Sequence, residues 1–294
     1  MKRKLVLVTV IASMIVSGLT GCGSSAQTAA SSTTETATTA DAAVDTQTTG
    51  NDLNIMIETP VESLDPQIGQ DGTSFEVIAD FTDGLMQMDA EGSPVPAIAE
   101  SYELSEDGMT YTFHLRDDAK WSNGTEVTAA DFVFGWQRAV DPKNACEYSY
   151  MMSDIGQVKN AAEIIAGEKD KSELGVTALD DTTLQVELNV PVSYFLSLMY
   201  FPTFYPVNEE FYNTCADTFA SSPETTLANG AFMLDSYEPA ATTIHLTRNP
   251  YYYDADKIAL SGLHYQVIQD SQQALMSYQT GALDTTLING EQVD

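Results

Sequence analysis

Positive charge is scarce in this 294-residue chain, where 12 lysines and arginines face 43 aspartates and glutamates. Three of the 12, Lys2, Arg3 and Lys4, precede Cys22, and every acidic residue follows it. Nine basic groups therefore meet 43 acidic ones beyond that point, a formal charge of −34. A field of that sign disfavours nucleic acid and anionic membrane surfaces as partners, and favours solubility or cationic ligands. A solvated acidic surface explains it more simply than a charge-selective site. Cysteine is rarer still. Besides Cys22 there are only Cys146 and Cys215, with no CxxC spacing, so no disulfide framework is indicated and one bridge between the two stays open. The three histidines, His114, His245 and His264, sit at alternating positions of strand-like runs and make no metal-ligand pattern with the cysteines.

Catalytic motifs are missing as well. There is no GxSxG elbow, no HExxH pair, no glycine-rich phosphate loop ending in Lys-Ser or Lys-Thr, and no EF-hand spacing. With 43 carboxylates, a chance acidic pair of the glycosidase kind is guaranteed somewhere and carries no information. The chain is therefore expected not to be an enzyme and to need no cofactor or metal. A secreted hydrolase built on acidic pairs, or a surface interaction protein, is the alternative from another class.

Long apolar runs are also absent apart from Leu5–Val16, which follows Lys2-Arg3-Lys4 and is too short to span a bilayer comfortably. It has the charged and hydrophobic regions of an export signal. Residues 23–50 are almost entirely Ser, Thr, Ala, Gln, Asp, Glu and Gly, with Val44 the only larger apolar side chain. Such a stretch cannot bury enough surface to order itself and is expected to be a flexible tether.

Residues 51–294 exceed one ordinary domain's worth of core, and strand patterns alternate with helical ones, which predicts an α/β fold. Met109, Tyr111, Phe113 and Leu115 alternate with polar residues in the manner of a strand with one buried face. Ser122-Asn123-Gly124 then turns the chain. Thr128, with Asp131 three residues on, caps a helix whose apolar face is Phe132, Val133, Trp136, Ala139 and Val140, and Pro142 stops it. Further strands are predicted at Leu53–Ile57, Leu184–Leu188, Ile244–Leu246 and Leu263–Val267. Thr73 with Glu76 suggests a capping box for a helix through Phe75, Ile78 and Ala79 that Gly84 would end, and Ser271, Ala274, Leu275 and Tyr278 make a similar unit closing at Gly281.

The block from Tyr111 to Pro142 resembles the signature of the extracellular solute-binding proteins of peptide ABC transporters, the oligopeptide-binding and dipeptide-binding family. Family-like segments surround it in order: Ser63-Leu64-Asp65-Pro66 upstream, then Leu174-Gly175-Val176 with Ala178-Leu179-Asp180-Asp181, Phe201–Val207, Asn229-Gly230-Ala231-Phe232, and Arg248-Asn249-Pro250 with Tyr252 and Tyr253. Leu19-Thr20-Gly21-Cys22 resembles the lipobox of bacterial lipoproteins, which implies that Cys22 is lipidated and that residues 1–22 are a lipoprotein signal.

The resemblance implies a periplasmic-binding-protein-like fold of two lobes. Lobe I would comprise 51–84 plus 151–284, interrupted by a strand-rich subdomain at 85–150, with 285–294 beginning the crossing to a second lobe that this sequence does not contain. An open sheet edge or an exposed apolar patch is then expected. The implied function is capture of oligopeptides outside the cell for an ABC permease and ATPase complex, by a monomer anchored through lipid to the outer face of the cytoplasmic membrane. Other solutes of the same family, such as dipeptides, nickel complexes, sugars or signalling peptides, are the alternative. Peptide capture needs only backbone donors and acceptors with tolerant pockets.

By resemblance Gln70, Asp71, Gly72 and Thr73 face the ligand cleft and offer backbone groups or a carboxylate to a peptide's amino terminus. The same residues also serve as a helix entry. Asn229, beside Gly230, carries an amide able to pair with a peptide backbone, or is a turn residue. Tyr252 and Tyr253 are cleft-wall or core candidates, and Tyr148 and Tyr150 are weaker ones.

Overall fold

The computed structural model describes residues 51–292. The export signal, Cys22, the tether and the last two residues lie outside the described residues. The first half holds β1 (Asp52–Ile57), α1 (Gly72–Phe81), β2 (Met86–Met88), β3 (Pro94–Pro96), β4 (Ala99–Leu104), β5 (Thr110–Leu115), α2 (Ala129–Val140) and α3 (Ala161–Ile165). There follow β6 (Val176–Asp180), β7 (Thr183–Glu187), α4 (Phe195–Leu198), α5 (Glu209–Cys215), β8 (Phe232–Ser236), β9 (Thr243–Arg248), β10 (Gly262–Val267) and α6 (Ser271–Gln279).

Two four-stranded sheets organise these elements, in the orders β1-β10-β9-β8 and β4-β5-β7-β6, with β2 and β3 as a separate pair. Among the described residues, only the β1–β10 ladder is parallel. In the first sheet Leu53, Ile55 and Ile57 share a face with Leu263 and Tyr265, and that face packs on Val77, Ile78 and Phe81 of α1. In the second, Tyr111, Phe113, Leu184 and Val186 pack on Phe132 and Trp136 of α2, as the period-two and helical patterns require. The Trp136 indole donates to the Phe204 carbonyl at 2.7 Å and so fixes α2 against the Phe201–Val207 segment.

The cap of α2 is the one the sequence predicts: Thr128 is the N-cap, and the Asp131 carboxylate accepts from its backbone N–H at 2.9 Å. Asp131 also accepts from the Trp121 indole at 3.1 Å, and burial pushes its pKa up to about 6. The cap of α1 differs from the expectation. Asp71, not Thr73, is the N-cap, and Thr73 lies inside the first turn with its hydroxyl 3.0 Å from that of Thr59. Gly84 does not end α1 either, since Thr82 is the C-cap. Glycine is needed at 84 because a Cβ there would fall 2.1 Å from the Met199 carbonyl oxygen, a contact no side chain tolerates.

The second sheet also extends past the 85–150 boundary drawn for the strand-rich part. Its β6 and β7 come from residues 176–187, and β7 lies between β5 and β6, because Leu184 and Val186 complete the apolar face begun by Tyr111 and Phe113. On the first sheet, the outer side of β1 is partly covered by Asp284 and Thr285, which bridge to Asn54 and Ile55. Large apolar side chains stand exposed nearby in sequence at Met276, Tyr278, Leu287 and Ile288. Cys146 is buried, Cys215 is half-buried, and both are free thiols.

One buried ion pair ties the two halves of the core. Arg138 of α2 donates to both oxygens of Asp65, at 3.1 and 2.7 Å, and to Gln67 at 2.6 Å, while its guanidinium lies 4.3 Å from the Tyr212 ring centre. Asp65 belongs to the Ser63–Pro66 segment that leads into α1, so the bidentate pair sets where α1 begins relative to α2. Breaking such a pair by removing one partner costs about 3–5 kcal/mol, since the other charge is left buried.

Candidate functional site

The eight residues singled out from the sequence fall into two groups, one at each end of α1. A ten-residue helix is roughly 15 Å long, so the groups do not form one site.

The first group, Gln70 to Thr73, is the entry to α1. Asp71 accepts from the Ser74 backbone N–H at 2.8 Å and from the Ser74 hydroxyl. That hydroxyl in turn accepts from the N–H groups of Glu62 and Ser63. The Asp71 carboxylate is half-buried and thus part of a cap, yet an ionised carboxylate has about four acceptor directions and the cap uses only some of them. Gln70 and Gly72 are exposed, and a Cβ at Gly72 would meet nothing within 4 Å.

Against this loop stands a row of rings. Tyr148 donates from its hydroxyl to the Gln70 carbonyl at 3.4 Å. Its ring lies 5.2 Å from Phe75, 5.3 Å from Phe201 and 5.8 Å from Tyr150, mostly in edge or tilted contacts. Phe75 and Phe201 meet edge-on at 5.1 Å. Tyr150 is 43 % exposed, so the row ends in a ring open to solvent, one ring beyond the Tyr148 contact with Gln70. The structure thereby joins Tyr148 and Tyr150, the weaker aromatic candidates, to the Gln70–Thr73 loop. Phe75 and Phe201 are the members the sequence reading left out of the site. Their signal was present, since Phe75 is one helical turn inside α1 and Phe201 opens a family-like segment, but a lone aromatic at such a position also reads as core.

The second group surrounds Asp83, just past the C-terminal end of α1. Asn229 is buried, and its amide is fully engaged by the protein's own chain: Oδ1 accepts from the Asp83 N–H at 3.0 Å and Nδ2 donates to the Asp83 carbonyl at 3.1 Å. The amide does pair with a backbone on both faces, as its chemistry suggested, but the backbone is internal. Gly230 donates its N–H to the Phe81 carbonyl and is likewise buried. Tyr253 donates to the Asp83 carboxylate at 3.1 Å and carries the Arg116 guanidinium 3.6 Å above its ring centre. Tyr252 accepts from Gln87 at 3.4 Å and lies 4.4 Å from Tyr253, ring centre to ring centre.

Burial raises the Asp83 pKa to about 6, against the opposing hydrogen bonds of Gln87, Tyr253 and Tyr252 and the charge of Arg116. Burial and the Asp83 charge push Tyr252 up to about 12 and Tyr253 higher still. Nothing local marks Asp83 or Arg116 as members of a network, because Asp83 meets its partners 146 and 170 residues further along the chain. This group is a sealed polar network that joins α1 to the 229–253 segment. It has the character of a support, whereas the open row at the other end of α1 has the character of a contact surface.

Comparison with known proteins agrees with this architecture. The family model described as "Bacterial extracellular solute-binding proteins, family 5 Middle" matches residues 93–294. The chain is 38 % identical over 231 residues to the probable deoxycholate-binding periplasmic protein YgiS of Escherichia coli K12, spanning 79 % of this chain and 43 % of that protein. It is 37 % identical over 240 residues to a dipeptide-binding protein of Lactococcus lactis, covering 81 % and 43 %. Among solved structures, Listeria monocytogenes OppA bound to peptide superposes with a TM-score of 0.79 at 38 % identity, over 83 % of this chain and 48 % of that one. The chain thus spans somewhat under half the length of the relatives it matches, and what it has is part of a two-lobe periplasmic-binding fold. By sequence and by structure, this chain belongs to the family 5 bacterial extracellular solute-binding proteins.

Proposed function

We propose that this chain supplies one wall of a receptor that captures oligopeptides outside the cell and delivers them to the permease and ATPase of an ABC importer, without catalysis. The receptor acts as a monomer, held at the outer face of the cytoplasmic membrane by lipid on Cys22. The observation that carries the reading is the likeness to a peptide-bound OppA at a TM-score of 0.79, together with an exposed helix-entry loop lined by rings. An extended peptide needs unpaired main-chain groups and tolerant apolar walls more than it needs charge. The N–H groups of Gln70 and Gly72 offer the first, and Phe75, Tyr148, Tyr150 and Phe201 the second. In this reading Asp71 and Thr73 contact the ligand's amino-terminal end, while Asn229, Gly230, Tyr252 and Tyr253 hold the wall in shape.

A second reading rests on the deoxycholate-binding relative: a row of rings also suits a flat apolar steroid acid. Native mass spectrometry of the protein isolated from its own cells separates the two, because it reports what co-purifies. Short peptides released on denaturation support the proposal. Release of a bile acid or another single small molecule, with no peptide, overturns it.

A further inference from the structure

The first sheet turns one face to α1 and carries ionisable side chains on the other. His245 of β9 and His264 of β10 are directly opposed residues of the antiparallel ladder, and they alternate with Ile244, Leu246, Leu263 and Tyr265 of the core face. Their rings stack with centres 3.9 Å apart and planes 18° from parallel. Asp52 of β1 stands beside them, with Oδ2 at 3.2 Å from His264 Nε2. On the far side, Asp235 of β8 lies 2.8 Å from His245 Nδ1.

The tautomer follows from that last contact. An ionised carboxylate only accepts, so His245 Nδ1 carries a proton, and in the neutral ring Nε2 is then the nitrogen with the lone pair. That Nε2 and Asp52 Oδ1 both lie over Gly262: a Cβ there would fall 3.2 Å from each. The Leu246 carbonyl, 2.7 Å from the same position, forbids a side chain there as well, so glycine at 262 is what lets Asp52 and His245 come together over the strand. One ligand atom each from Asp52, His245 and His264 lie within 4.8 Å of one another.

We propose that Asp52, His245 and His264 bind a divalent transition-metal ion of the zinc class, with Asp235 as the carboxylate that orients His245. Two imidazoles and a carboxylate are a ligand set suited to zinc, with a fourth position open to water. Tetrahedral zinc holds such atoms roughly 3.3 Å apart, and His264 Nε2 and Asp52 Oδ2 already stand at 3.2 Å. With the ion bound, the neutral His264 ring carries its single proton on Nδ1, so the N–H that faces Asp52 Oδ2 in the metal-free chain moves from Nε2 to Nδ1 through solvent. Asp235 behind His245 matches the carboxylate–histidine–metal arrangement that fixes ligand orientation in zinc sites. The site is reachable from solvent, since the side chains of Asp52, His245 and His264 are 15, 25 and 32 % exposed. The strongly acidic chain raises the local cation concentration. No sequence motif announces the set, because its residues are 193 to 212 positions from Asp52 along the chain and meet only through strand pairing.

The test is calorimetric titration of the full, chelator-stripped chain with zinc chloride in excess magnesium, with cobalt(II) as a visible-absorption probe of coordination. One zinc per chain and a four-coordinate cobalt spectrum are expected. Asp235→Asn is expected to weaken zinc binding 10- to 100-fold, and the double variant His245→Ala/His264→Ala to abolish it. His114→Ala, on the other sheet, is expected to leave it unchanged. His264→Gln serves as a milder second variant should the double one melt early without metal. Absence of a saturable signal, its loss to magnesium, or unchanged zinc affinity in the histidine variants would overturn the proposal.

Discussion

At its N-terminal end α1 meets solvent, a capping carboxylate and an open row of rings; at its C-terminal end it meets the buried amide of Asn229 and the buried carboxylate of Asp83. Both ends are polar, but the physical demands are opposite. Where water is excluded every donor and acceptor must find a partner inside the chain, so the Asp83 network is closed and leaves little to offer a ligand. Where water is present, groups can remain unpaired at little cost, as the backbone N–H groups of Gln70 and Gly72 do. An exchange of solvent for ligand is therefore cheap at the first end and prohibitive at the second.

The largest effect is expected from Asn229→Ala. The change leaves the N–H and the carbonyl of Asp83 without their partners in a dry site, and two such losses destabilise by about 3 kcal/mol. Urea unfolding monitored by circular dichroism measures this. A loss below about 1 kcal/mol would mean that water reaches the amide, and the contrast between the two ends would fail.

Next in size is the pH response of Asp83. Its folded pKa of about 6 lies above the ordinary value of 3.8, so between those pH values the folded chain binds more protons than the unfolded one. The stability tied to its protonation is complete below pH 4 and is lost as pH rises through 6. Asp80 and Asp131 respond in the same direction, so a variant is needed to isolate Asp83. Asp83→Asn stays neutral throughout. Its melting temperature relative to the parent is expected to climb by a few degrees between pH 4 and pH 7, and a constant difference across that range would show that Asp83 does not titrate there.

How far the sequence reached follows the same division between local and distant partners. β5 was legible from the alternation of Tyr111, Phe113 and Leu115, and the start of α2 from Thr128 and Asp131, because both patterns are complete within a few residues. The start of α1 was displaced by two residues, since Asp71, Thr73 and Ser74 are all capping types and periodicity cannot choose among them. The Asp83 network, the Asp65–Arg138 pair and the assignment of β7 to the middle of its sheet depend on chain crossings of 70 residues or more, which leave no local trace. Of the candidate site, the loop at Gln70–Thr73 was named by resemblance alone. Its separation from Asn229 by the length of α1 needed coordinates.

The two smallest expected effects on stability lie at the open end. Asp71→Ala removes the N-cap and is expected to cost about 1 kcal/mol, read from the same urea curves. Tyr150→Ala should cost less than about 0.5 kcal/mol, because the ring is already 43 % exposed and its one ring neighbour, Tyr148, keeps its contacts with Phe75 and Phe201. If the row is a contact surface, the same substitution still weakens ligand binding about tenfold, which is about 1.4 kcal/mol. Calorimetry against whichever molecule co-purifies with the protein measures that number. A variant that keeps full affinity would remove Tyr150 from the wall, whereas one that loses both affinity and several kcal/mol of stability would make the row part of the core, and the two ends of α1 would then be alike.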